Sequence, residues 1–213
     1  MAPGPEGGRG AFWRSHRPDG AAMSGRLPGR IRIVSGAKRG LWLRVPPGSG
    51  VRPTSEMVRE AIFNALGPIP QAQVLDLFAG TGALGLEALS RGAGRCVFVE
   101  VERAVAEVLK ANIKRLEYER QARVMVGDYR AAVQMLINQG ERFDLLFVDP
   151  PYRMLSEVEA TLLPWVPSLL SVDGLVVIEG SKSLGTTFGL EVVFDRVYGD
   201  TRVTMVSARK ETA

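Results

Sequence analysis

Two aspartates, each at the end of an apolar run, carry the chemistry this chain can do. Asp149 begins Asp149-Pro-Pro-Tyr152 after Phe143-Asp-Leu-Leu-Phe-Val148, and Asp76 begins a glycine-rich turn, Asp76-Leu-Phe-Ala-Gly-Thr-Gly-Ala-Leu-Gly85. An amine conjugated to a purine or pyrimidine is a poor nucleophile, because its lone pair is delocalised into the ring. The Asp149 carboxylate and a backbone carbonyl of the Pro150-Pro151 turn can accept both of its N–H groups and aim the lone pair at an electrophile. The prolines stiffen those acceptors, and Tyr152 offers a face on which a base can stack. The rate gain in such a site comes from positioning beside an already activated group, with no strong base at the outset. This suits a chain whose single histidine, His16, lies in a Gly/Pro/Arg-rich tail that offers nothing to hold it. A bland reading of Pro150-Pro151 is that it only terminates a strand.

Gly80, Gly82 and Gly85 form G-x-G-x-x-G between a strand and a helix. Glycines there allow close backbone approach at the carboxyl end of a sheet, and the helix N-terminus favours electron-rich groups. Alone, the motif does not separate a dinucleotide from S-adenosylmethionine, and it also fits a tight turn that binds nothing. Asp76 shifts the balance, since a carboxylate inside a strand end is costly unless paired. A pyrophosphate would repel it, whereas the cationic methionine end of S-adenosylmethionine would pair with it, through the ammonium or a bridging water. Glu100, 24 residues further on, ends the next strand, where a carboxylate accepts ribose hydroxyls. Asp128 follows the third strand, placed for an adenine amine, and Phe78 and Tyr129 complete the expected cofactor set. Individually each acid also reads as an exposed strand-end charge; as a set they follow one sheet edge.

The elements that must position these groups are legible in the periodicity. Strands are expected near 73–78, 95–100, 122–127, 143–148 and 174–179, with helices near 83–92, 102–116, 129–139 and 156–170. This alternation predicts an α/β fold with a parallel, doubly wound sheet. Glu191–Val197 and Val203–Ala208 flank Tyr198-Gly-Asp-Thr-Arg202 and read as a hairpin that adds an antiparallel edge, for seven strands in all. Such an ending is the form methyltransferases favour. Upstream, Arg30–Val34 and Leu41–Val45 read as a small hairpin with a basic loop, and Thr54 can cap a helix that runs to Leu66 and stops at Gly67-Pro68. Residues 1–29 lack apolar periodicity and are expected to be a disordered basic tail, with Met23 a candidate alternative start. The expected organisation is therefore 1–29 tail, 30–66 extension and 67–213 catalytic domain. Trp42 and Trp165 are expected to pack, Cys96 to be a small core residue and Arg202 to be an edge-strand charge.

Charge is unevenly spread. Residues 1–59 hold 11 Lys/Arg against three acids, whereas the rest holds 16 basic and 20 acidic groups. A basic front on a mildly acidic domain suits a polyanion; a solvated arm is the alternative. No apolar run approaches the roughly 18 residues of a membrane helix. One cysteine excludes internal disulfides and cysteine-based metal sites, so no metal is expected.

From Arg30 onward the chain resembles a known family, the bacterial 16S ribosomal RNA guanine-N2 methyltransferases of the RsmD type. The resemblance rests on Arg32-Ile-Val-Ser-Gly36 with Lys38-Arg-Gly40, Arg52-Pro-Thr54, Val58-Arg-Glu60 with Phe63-Asn64, Asp76 through Arg91, Val99-Glu100, Val148-Asp-Pro-Pro-Tyr152 and Tyr198-Gly-Asp-Thr-Arg202. It implies methylation of one guanine N2 in small-subunit rRNA, in a partly assembled particle, by a cytoplasmic monomer (organellar if the source is eukaryotic). It also implies that the N-terminal hairpin and Arg52-Pro-Thr54 present the RNA, with Arg32, Lys38, Arg39, Arg52, Thr54 and Arg59 as contacts. The tail before Arg30 departs from the family. Within the same chemistry an adenine N6 in DNA or a glutamine side chain stays open; an NAD(P) oxidoreductase leaves Asp149–Tyr152 unexplained. A non-catalytic RNA-binding module would have no need of intact Asp76, Glu100 and Asp149.

Overall fold

The computed structural model describes residues 31–46, 55–183 and 186–207. The tail 1–29, Arg52, Thr54 and Ala208 lie outside the described residues. A seven-stranded sheet runs in the order β5-β4-β3-β6-β7-β9-β8, built from β3 (Gln73–Asp76), β4 (Arg95–Glu100), β5 (Ala122–Val126), β6 (Phe143–Val148), β7 (Leu170–Ser181), β8 (Glu191–Tyr198) and β9 (Thr201–Ser207). The pairs among β3 to β7 are parallel, and β9 is antiparallel to both β7 and β8. The expected doubly wound sheet with an antiparallel terminal hairpin is the fold found. Its strand order reverses between β3, which ends at Asp76, and β6, which Asp149 directly follows.

Alternate residues along the central strands enter two apolar layers. Val74, Phe147 and Val177 face one side with α1 (Glu56–Leu66), α2 (Ala83–Ser90) and α3 (Arg103–Arg115). Leu75, Val148 and Ile178 face the other with α4 (Tyr129–Asn138), α5 (Leu155–Leu162) and α6 (Val166–Leu169). The single helix expected over 156–170 is split into α5 and α6, because Pro164 has no N–H to continue the ladder and Pro167 sits in the first turn of α6. Helix α1 is capped by Ser55, whose hydroxyl accepts from Val58 N at 3.1 Å, one residue after the expected cap.

The N-terminal hairpin is shorter than expected: β1 (Ile31–Arg32) pairs only with β2 (Trp42–Leu43). Its backbone turns instead to α2. Val34 N and Ser35 N donate to the two oxygens of Glu87 at 2.7 and 2.9 Å, and Ala37 N reaches Ser90 O at 2.7 Å. A Cβ on Gly36 would lie 1.8 Å from Ser90 O, and its φ is +82°, so glycine is required at this approach. Ile31, Ile33 and Leu43 join the same apolar layer as α1 and α2. The extension is thus continuous with the domain's core. Cys96 is fully buried, as expected; Trp42 is 40% exposed with the Arg32 guanidinium over its ring, so its expected packing role is corrected to a partly open stack. Trp165 is half-buried against the second layer. Arg202 pairs with Asp195 across the edge hairpin at 2.5 Å.

Candidate active site

The glycine turn is set by both neighbouring strands. Leu77 N donates to Phe147 O at 3.1 Å and Ala79 N to Val99 O at 3.0 Å, so the loop leaves β3 pinned between β6 and β4. Gly80 and Gly82 have φ of +52° and +89°, values that L side chains resist. Gly85 serves a different purpose: a Cβ there would sit 2.3 Å from the Phe98 ring and 2.7 Å from Cys96 Sγ. It lets α2 lie against the sheet, and its N–H donates to Asp76 Oδ2 at 3.1 Å. Gly85, expected among the cofactor residues, is required to be glycine by this packing.

Asp76 is 2% exposed. Burial pushes its carboxyl up to about 7, Asp149 and Glu100 add repulsion, and the Gly85 N–H opposes the rise. Glu100, also buried, accepts Gly80 N on one oxygen and Glu102 N on the other, both at 2.8 Å. Each oxygen keeps a lone pair for a hydroxyl, and the carboxylate fixes the loop at the same time. Asp128 caps α4, accepting Arg130 N at 2.8 Å while Arg130 Nη1 lies 3.1 Å from its other oxygen. Phe78 and Tyr129 pack with ring centroids 5.2 Å apart, Tyr129 buried and Phe78 half-buried. Asp76, Phe78, Gly80, Gly82, Glu100, Asp128 and Tyr129 therefore line the carboxyl ends of β3, β4 and β5.

On the other side of the switch point, Phe147 pairs in register with Asp76, which brings the residue two further on, Asp149, beside the start of the glycine loop. Pro150 is buried and Pro151 exposed, and Tyr152 opens a short 3-10 turn, Tyr152–Met154. The Tyr152 hydroxyl lies 3.2 Å from Thr201 Oγ1 at the start of β9. That bond fixes one end of the ring and ties the Asp149–Tyr152 turn to the edge hairpin.

Of the six expected RNA contacts, Arg32, Lys38 and Arg39 lie on the hairpin at or near the surface, with Arg39 exposed. Arg32 Nη2 pairs with Glu56 at 2.6 Å and Lys38 Nζ with Glu117 at 2.6 Å. Arg59 corrects the expectation: it is 2% exposed, and Nη2 donates to Arg32 O at 2.8 Å, beneath the hairpin. Its helical spacing with Ile62, Phe63 and Leu66 was the available signal.

Three polar residues escaped sequence reasoning. Glu87 and Asn112 are fully buried and Ser90 is 3% exposed. Asn112 on α3 accepts Arg44 N at 2.7 Å and donates at 3.0 Å both to Arg44 O and to Thr81 O in the glycine loop. One amide thereby ties the hairpin to the loop. Glu179, 6% exposed at the end of β7, also went unremarked.

Among the described residues no cluster of His, Cys, Asp and Glu could hold a metal, and no helix is long and apolar enough to cross a membrane. Comparison with known proteins then places the chain. Residues 31–207 match a family described as Conserved hypothetical protein 95. The chain is 36% identical to Bacillus subtilis YlbH over 183 residues, spanning 85% of this chain and 93% of that protein. It is 47% identical to Ribosomal RNA small subunit methyltransferase D of Escherichia coli strain K12 over 126 residues, 59% of this chain and 62% of that protein. The solved structure of Escherichia coli yhhF superposes with a TM-score of 0.73 at 34% identity, covering 86% of this chain and all of that one.

Proposed function

The chain belongs to this family, the RsmD-type ribosomal RNA methyltransferases, and we propose that it transfers a methyl group to the exocyclic N2 of one guanine in small-subunit rRNA. One observation carries the reading: the Asp76–Gly85 loop and the Asp149–Tyr152 turn end neighbouring strands in register, so a donor on one meets an amine on the other. The donor site fits S-adenosylmethionine. Two buried carboxylates, Asp76 and Glu100, end neighbouring strands here, which favours a cation and opposes the pyrophosphate of a dinucleotide. When bound, S-adenosylmethionine supplies a methyl group already activated by its sulfonium.

The protein's own part is placement. Glu100 takes ribose hydroxyls while holding Gly80, and Asp128 with Tyr129 and Phe78 borders the adenine end. Asp149 and a carbonyl of the Pro150-Pro151 turn accept the two N–H groups of the target amine, so its lone pair points along the transfer line. Tyr152, held by Thr201, stacks under the base. The basic hairpin face with Arg32, Lys38 and Arg39 meets phosphates; Arg52 and Thr54 join it in this reading, whereas Arg59 supports the hairpin from below. The substrate is a partly assembled small subunit, met by a monomer in the cytoplasm.

The test is transfer of labelled methyl from S-adenosylmethionine to small-subunit particles, naked 16S rRNA and DNA, followed by nucleoside analysis. N2-methylguanosine from either RNA is the expected product. Label in DNA overturns the substrate, and no label in any of the three overturns the reading.

Two further outcomes follow from the donor site. Glu100→Ala loses a hydroxyl acceptor and frees the Gly80 N–H, so S-adenosylmethionine affinity should fall roughly 10- to 100-fold by calorimetry. Unchanged affinity removes Glu100 from the ribose site. For Asp76, the folded pKa of about 7 lies above the ordinary carboxylate value, 3.8. Its contribution to folding stability is therefore fully present below about pH 4 and lost as pH rises towards 7. A neighbouring cation favours the ionised form, so S-adenosylmethionine affinity should rise from about pH 6 to 8, with proton release near neutral pH. Calorimetry in buffers of different ionisation enthalpy reads the proton directly. Proton release that persists in Asp76→Asn would assign the titration elsewhere.

A further inference from the structure

Burial and register mark one carboxylate that neither the donor site nor the transfer turn uses. Ile178 on β7 pairs with Val148 on β6, so the next residues, Glu179 and Asp149, sit at the same level of the sheet. Alternation puts both on one face. Phe147, Val177 and the β9 residue Val203, which pairs with Glu179, all enter the layer beneath α1, whereas Val148 and Ile178 enter the opposite one. Asp76 follows Leu75 of the opposite layer and so shares this face. Three acids thus end three adjacent strands in a row: Asp76 on β3, Asp149 after β6 and Glu179 on β7.

Glu179 is 6% exposed, and a buried carboxylate is expensive without compensation. Compensation comes from above. Arg59 on α1 is buried over this face, and the negative charge of Glu179 is among those that favour its guanidinium, with Glu87 and Glu56, against the burial that lowers it. Thr201, whose register partner is Ser181 on β7, flanks the same corner and holds Tyr152. The corner therefore combines a stacking ring, an amine acceptor and a second acceptor one strand further from the cofactor loop.

We propose that Glu179 is a specificity-determining residue that accepts the N1–H of the target guanine while Asp149 holds its N2 amine, with Arg59 as the positioning residue behind it. This rests on the guanine-N2 reading and deepens it. A carboxylate can only accept. Guanine presents a donor at N1 directly beside its 2-amine. 2,6-Diaminopurine keeps the 2-amine but has a bare acceptor at N1, and adenine has the same acceptor without the 2-amine. Two facing acceptors in a buried corner repel, so the site selects guanine by the hydrogen on N1, a discrimination of the kind that buried hydrogen-bonding groups make strongly.

The experiment uses the full chain and small-subunit particles reconstituted with RNA carrying guanine or 2,6-diaminopurine at the methylated position, once product analysis has mapped it. The wild-type protein should prefer guanine in kcat/KM by roughly 100-fold or more. Glu179→Gln can turn its amide and donate to N1 of diaminopurine, so that preference should narrow at least tenfold, with S-adenosylmethionine affinity near wild type. Equal losses on both bases would overturn the proposal and leave Glu179 as the neutraliser of Arg59. If the variant does not fold, the wild-type comparison still decides: equal rates on the two bases overturn the proposal without any substitution. Absence of N2-methylguanosine with wild-type protein and guanine RNA sinks the parent reading instead, which is a separate result.

Discussion

Asp149→Ala should leave S-adenosylmethionine binding within about twofold of wild type and lower the single-turnover rate of methyl transfer by roughly a thousandfold or more, the scale of losing a group that both orients and stabilises the reacting centre. The asymmetry follows from position. Asp149 follows β6, whereas the loop proposed to hold the cofactor follows β3 and is fixed by Phe147 O, Val99 O and Glu100. Removing the carboxylate also takes away a charge that pushes the Asp76 carboxyl up. The titration seen in cofactor binding should therefore move to lower pH in this variant. Calorimetry and a rapid-quench assay separate the two effects. A loss of affinity equal to the loss of rate would move Asp149 from the amine to the cofactor.

Glu87→Ala should be the most damaging single substitution for stability, with a loss of about 3–5 kcal/mol in urea unfolding. Glu87 is fully buried and accepts Val34 N, Ser35 N and Arg91 Nε, the last at 2.8 Å. Truncation leaves two backbone donors and one guanidinium facing a void, and each buried group without a partner is costly. Arg91 keeps its stack over Phe63, 4.7 Å from the ring centroid, so the damage should concentrate at the hairpin. Faster amide exchange at Val34 and Ser35 than across the central strands should accompany it. A variant that melts like wild type would show that the hairpin is held without Glu87, by its apolar contacts and its bonds to Ser90 and Asn112.

Much of this architecture could be read from spacing, because the central strands are buried on both faces and leave continuous apolar runs. Arg95–Glu100 and Phe143–Val148 fall where the runs place them. The misreadings have local causes. Strand β7 begins at Leu170, directly after α6, and not at the glycine that looks like its start. The hairpin loses most of its expected ladder because a helix carboxylate competes for its N–H groups. In the site, the acids were visible because they end strands, and a strand end is marked by the end of hydrophobicity. Glu87 and Asn112 were not, since a polar residue inside a helix looks solvated until a partner segment is laid over it. The resemblance makes Arg59 an RNA contact, and only the hairpin laid over α1 shows it buried. Glu179 stands at a strand end as the others do, but its neighbour on β6 had to be known before its place in the row meant anything.

The amide of Asn112 has a consequence in time. It spans 68 residues to Arg44 and 31 to Thr81, and closing such spans comes late in folding compared with helix formation or neighbouring turns. The segment around Arg44, made earlier in synthesis, must wait for a helix made later, and the Thr81 carbonyl in the glycine loop between them gains this partner only when that wait ends.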